Sequence, residues 1–95
     1  MNYLEQFNFT KQDIDEVLSS IDRIDLVELD VHEDRVCDIL NYFKSLHLGN
    51  LKDLLKYKTY IFYMPLDYIK RKFTGVNVEK ILSINEDIDV IDQLL

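Results

Sequence analysis

Cys37 is the only cysteine in the 95 residues, so no intramolecular disulfide can form and a zinc site built from several thiolates is excluded. Proline and glycine are scarce too, at one and two residues, while 47% of the chain is hydrophobic and 31% is charged. A disordered segment has the opposite balance, poor in apolar residues and rich in proline or glycine. The length suits one domain with one core and is too short for two. No apolar run reaches the ~20 residues that span a bilayer. The opening MNYLEQFNF has neither the basic start nor the unbroken apolar stretch of a signal peptide. A cytoplasmic location is the default expectation.

An excess of positive charge is also missing. The formal net charge of −7 opposes nonspecific attraction to nucleic acid or to an anionic membrane, while leaving room for a local basic face. The apolar-faced helices carry mainly Asp and Glu on their polar sides, the wrong sign for binding anionic lipid. No membrane partner is expected.

Catalytic patterns are equally thin. His32 opens HEDRV, but the position one turn on is Val36, so the second imidazole of an HExxH zinc helix is absent. His32 reads as a polar first-turn residue and His47 as a partner of a helix C-terminus. Cys37, between Val36 and the Leu40 stripe, reads as a small core-flanking residue, with no base to activate it. The clusters DIDEV, HEDR and NEDIDVID lack the twelve-residue calcium-loop spacing with its central glycine. The expectation is no enzyme, no cofactor and no metal.

Helix signals are plentiful. In FTKQDIDEVLSSI, Thr10 and Asp13 form a capping-box pattern, Phe9 and Ile14 suit a hydrophobic staple, and Ile14, Val17, Leu18 and Ile21 share one face. The stretch DRIDLVELD alternates locally and fits a connector, a short helical turn or a brief strand; the connector is the reading taken. Asp30, with Glu33 three residues on, predicts the start of a long helix whose stripe is Val36, Ile39, Leu40, Phe43 and Leu46. Gly49 supplies a left-handed stop and Asn50 a cap for the next helix, with Leu51, Leu54 and Leu55 inward and Lys52 and Lys56 outward. Pro65 breaks that helix and suits the first position of another, in which Leu66, Ile69 and Phe73 face inward and Gly75 closes. Asn77 and Asn85 look like starts of two short final helices, the last with Ile88, Ile91, Leu94 and Leu95 inward. The predicted fold is all-α, a small bundle or short stack of helical hairpins with about five to six helices.

From residue 10 to about 74, FTKQDIDEVLSSI followed by DVHEDRVCDILNYFKSLHLGNLKDLLKYKTYIFYMPLDYIKRKF resembles the mTERF repeat family. NYFKSLHL, Asn41 to Leu48, is similar to the family's long-helix ending, and LKDLLKYKTYIFYMPLDYIKRKF to the half that follows. The resemblance implies stacked helical units in a curved scaffold that binds DNA or RNA through a basic concave surface. The chain departs from the family in having at most two and a half units, a negative net charge, and Tyr60 or Tyr63 where proline is frequent.

Charge is unevenly distributed. From Lys52 to Lys72 there are six basic and two acidic residues, a net of +4; the remainder has five basic and sixteen acidic, a net of −11. Such polarity steers an oriented partner or lets copies stack head to tail. The favoured expectation is a protein-interaction module whose partner is another protein or the chain itself. Tyr57 and Tyr68, flanked by charge, are its best anchors, with Lys70, Arg71 and Lys72 at the rim. The alternative is a nucleic-acid module in which Lys52, Lys56, Lys58, Lys70, Arg71 and Lys72 meet phosphate and tyrosines stack on bases. The middle of the patch, TYIFYM, is expected to be core, with Ile61, Phe62 and Met64 buried.

Overall fold

Thr10 opens the first α-helix as its neighbours predict. The Thr10 hydroxyl accepts from the Asp13 N–H at 3.1 Å, and the Asp13 carboxylate accepts from the Thr10 N–H at 3.0 Å. Helix α1 runs over Lys11–Ser20 and buries Ile14 and Val17; Leu18, expected inward, is 38% exposed. The computed structural model describes all 95 residues, and it is all-helical. The other α-helices are α2, Arg23–Val31; α3, Glu33–Ser45; α4, Leu51–Tyr57; α5, Leu66–Phe73; and α6, Val78–Glu86. Three 3-10 segments accompany them, Asn2–Phe7 ahead of α1, Thr59–Tyr63 between α4 and α5 and Ile88–Gln93 after α6, so the element count exceeds the five to six expected. No helix is long and apolar enough to cross a membrane.

The connector expected at residues 22–30 is a helix. Leu26 and Leu29 point to the core while Ile24, Val27 and Val31 occupy the other side, so two helical stripes overlap in sequence and imitate alternation. Asp30 therefore lies within α2 and caps nothing. Helix α3 begins after His32, which makes no side-chain cap, and the Asp30 carboxylate instead sits 3.6 Å from the Met1 amino group. The N-terminal segment, for which no element was expected, buries Tyr3, Leu4 and Phe7 and contacts α3; the Tyr3 hydroxyl donates to the Leu29 carbonyl at 3.1 Å.

Helix α3 stops two residues earlier than Gly49. His47 takes the left-handed conformation, φ 66°, and its N–H donates to the Lys44 carbonyl at 3.0 Å while the Leu48 N–H reaches the Phe43 carbonyl at 3.1 Å. This pair of bonds closes a helix around one left-handed residue. Asn50 does not cap α4; its amide donates to the Ile84 carbonyl at 3.0 Å. Asn85 starts no helix and lies within α6, its side-chain carbonyl accepting from the Gly49 N–H at 2.9 Å and its amide donating to the His47 carbonyl at 3.0 Å. The final segment is opened by Asp87, whose carboxylate accepts from the Asp89 N–H. Asn77 caps α6 as expected, accepting from the Lys80 N–H at 2.9 Å, and Gly75 closes α5 at φ 79°. Pro65 stands one place ahead of α5, at its cap rather than inside its first turn.

One continuous core of 23 buried residues, all hydrophobic by type, joins these elements. Helix α3 lies at its centre, touching α2, α5, the first 3-10 segment and the Thr59–Tyr63 segment. The Phe43 ring meets Phe62 edge-on with centroids 6.3 Å apart and Phe73 at 5.7 Å, a geometry that favours aromatic pairs. Ile61 and Phe62 are fully buried in the 3-10 turn, while Met64 is only partly covered.

Candidate functional site

The six cations between residues 52 and 72 meet two different fates. Lys52 reaches Asp13 and Glu16 of α1, both at 3.2 Å, and Lys56 reaches Glu16 at 3.4 Å. Successive turns of α4 thus bring two lysines onto the seam with α1, because residues four apart share a helix face. The Lys52 ammonium, then the Lys56 ammonium, hold the Glu16 carboxyl below its ordinary range. Asp13 is lowered first by the backbone and hydroxyl of Thr10, then by Lys52. Lys58 sits 2.7 Å from both Asp89 and Asp92, which push its own titration upward. Lys52, Lys56 and Lys58, expected as free contacts, are therefore neutralised by carboxylates that the sequence places some forty residues away or in the acidic tail.

Helix α5 presents the other three. Lys70, Arg71 and Lys72 are exposed in its last turn and take part in none of the ion pairs. The Lys70 ammonium stands 5.7 Å from the Tyr42 ring centroid and the Lys72 ammonium 5.4 Å from that of Tyr68, the cation–aromatic range. Tyr68, Arg71 and Lys72 line a shallow hollow. Cations in the last helical turn also complement the carbonyl end of the helix.

The tyrosines separate as well. Tyr57, at the end of α4, is 64% exposed with the Lys56 ammonium 5.0 Å from its ring, and Tyr68 is half-buried. Tyr60 and Tyr63 each keep a partly exposed ring but lend their hydroxyls to structure, donating to Asp92 and Asp25 respectively. Burial, then the Asp92 carboxylate, pushes Tyr60 up to about 12; the Asp25 hydrogen bond does the same for Tyr63. The sequence contains no local signal for these partners, which come from α2 and the final segment.

Two further features escaped the sequence reading. The outer side of α2 carries Ile24, Val27 and Val31, exposed at 79%, 54% and 69%. On α6, Val78 and Leu82 are exposed beside a mainly apolar hollow shared with Leu46 and Val76. Intervals of three and four between valine and isoleucine were the available clue on α2, masked there by the inward leucines.

The remaining candidates have structural surroundings. The Cys37 thiol is raised by burial and by Glu33, Asp34 and Asp38, the opposite of what an activated nucleophile needs. His32 lies 3.5 Å from Glu28 at the α2–α3 junction, and His47 forms the α3 stop. No family model, no curated protein and no solved structure matches the chain.

Proposed function

We propose that this protein is a non-enzymatic interaction module that docks an acidic segment of a partner protein on α5. The single observation behind this reading is the unpaired trio Lys70, Arg71 and Lys72 in a chain whose net charge is −7 and whose other cations in the same stretch are all matched by carboxylates. Tyr68 and, at the end of α4, Tyr57 supply amphipathic rings of the kind that anchor interfaces, with the cations at the rim. Cationic rims accelerate encounter with acidic partners and give it salt dependence. An mTERF-like stacking of helical units belongs to the same proposal, supported by the all-α order. Its usual polyanion contacts fit less well, since Lys52, Lys56 and Lys58 are already occupied.

The test is a titration of the chain with a Glu-rich peptide carrying one Leu-Tyr pair, and separately with mixed single- and double-stranded oligonucleotides, each over a range of salt. The proposal expects peptide binding that charge reversal of Lys70, Arg71 and Lys72 to Glu abolishes. Peptide binding untouched by that reversal would remove α5 from the account. Oligonucleotide binding at low salt, lost with the same reversal, would move the function to nucleic acid.

A further inference from the structure

Helix α2 is apolar on two opposite sides. Leu26 and Leu29 face the core; Ile24, Val27 and Val31, at intervals of three and four, lie about 160° around the helix from them. A helix with apolar residues on both sides is ordinarily covered on both. Only one side is covered here, although three branched side chains stand in a row on the other.

The charge around that row decides what can cover it. From Asp22 to Asp34 there are six carboxylates and one arginine, Arg23, a net of −5 over thirteen residues. At the C-terminal end of the row an open hollow is lined by Asp30, Val31, His32, Glu33, Asp34 and Arg35. The Arg35 cation is turned inward, its Nε donating to the Phe62 carbonyl at 2.9 Å and its guanidinium 5.8 Å from the Tyr63 ring centroid. Asp30 faces the Met1 amino group at 3.6 Å, so Glu33 and Asp34 are the carboxylates at that end that take part in no ion pair. A second copy docked by the same face would set −5 against −5. Helix α5 of a second copy offers cations, but its apolar residues Ile69 and Phe73 are buried in its own core.

We propose that the outer face of α2 is a docking site for an amphipathic helix of a partner protein, its apolar stripe bordered by lysine or arginine. The partner's apolar residues cover Ile24, Val27 and Val31, and a cation at one end enters the hollow beside Glu33 and Asp34. Two helices packed side by side in this way interdigitate residues at intervals of three and four. The carboxylate rim supplies selectivity by repelling helices with an acidic border. This surface is separate from α5 and takes a partner of the opposite charge.

The experiment is fluorescence anisotropy with a synthetic helical peptide of about eighteen residues, five turns, with leucines on one face and lysines beside them. A second peptide replaces those lysines with glutamates. Binding of the lysine peptide alone, weakened by salt, is expected. The paired substitution Ile24→Ser and Val31→Ser is expected to weaken it by at least about tenfold. Val78→Ser with Leu82→Ser on α6 should leave it unchanged. A charge variant, Glu33→Gln with Asp34→Asn, keeps the apolar row and is expected to lower both the affinity and its salt dependence. Circular dichroism shows whether each variant keeps its fold, and the charge variant remains informative if the serine variant does not. Equal binding of the glutamate peptide, or lysine-peptide binding indifferent to both the serine and the charge variants, would overturn the proposal. So would a dimer of the chain alone, seen by sedimentation, that Val27→Asp dissolves. Charge reversal at Lys70, Arg71 and Lys72 should not affect this peptide, so the α5 reading can fail while this one stands.

Discussion

The Tyr63 hydroxyl donates to the Asp25 carboxylate and so ties the Thr59–Tyr63 turn to α2, across 38 residues of sequence. Tyr60 makes the matching tie to Asp92 in the final segment. Both phenols are raised from 10.0 to about 12. A raised phenol pKa means that the protonated form is favoured by folding. The associated stability is complete below the ordinary value and disappears as pH rises through about 12. In an alkaline titration followed by phenolate absorbance, Tyr60→Phe with Tyr63→Phe should delete two late-titrating groups. A loss taken from the early group instead would contradict these ties. Each single replacement is expected to cost about 0.5 kcal/mol in urea denaturation, since the rings are partly in water.

Acid should loosen the α1–α4 seam. Asp13 and Glu16 are held below their ordinary values of 3.8 and 4.5, so their contribution is present above those values and is lost as pH falls through the lowered ones. Asp13→Asn combined with Glu16→Gln is expected to reduce the difference between urea midpoints measured at about pH 7 and about pH 3. An unchanged difference would show that the acid response comes from other carboxylates. Thr10→Ala, which removes the reciprocal cap, should cost about 1 kcal/mol at neutral pH.

Phe43 joins the rings of Phe62 and Phe73 and is fully buried. Phe43→Ala is expected to cost about 3–5 kcal/mol, a large share of the about 5–15 kcal/mol typical of a folded domain. Phe43→Leu, which keeps most of the volume, should cost less. A near-neutral Phe43→Ala in calorimetry would mean that α3 is not the centre of the core.

The left-handed stop yields a sign test. His47 holds φ 66° and Gly75 φ 79°, whereas Gly49 does not use that region and nothing lies within 4 Å of a Cβ built there. His47→Gly should therefore raise stability, since a non-glycine residue in that conformation costs about 1–2 kcal/mol. Gly49→Ala should be neutral or stabilising by about 0.4–1 kcal/mol through the unfolded chain. Gly75→Ala should destabilise. Thermal melts of the three variants settle the signs together.

Legibility in the sequence followed the range of each interaction. The caps at Thr10 and Asn77 and the stripes of α3 and α4 were readable because a cap or a stripe lies within a few residues. Helix α2 is hidden in the sequence because its two apolar sides interleave, and Asn50 and Asn85 imitate caps although their side chains serve groups more than thirty residues away. The stretch from Lys52 to Lys72 is positive in sequence, yet only its α5 end is left unpaired. The carboxylates that neutralise Lys52, Lys56 and Lys58 are neighbours in space alone.

The Asn85 side chain grips both sides of the α3 stop, Gly49 and His47, from 36 and 38 residues further along the chain. During synthesis this turn leaves the ribosome well before the residue that clamps it. Until then the His47 carbonyl and the Gly49 N–H lack these partners. The joint between α3 and α4 is thus completed only after most of the chain has been made, as are the ties of Lys58 and Tyr60 to Asp92.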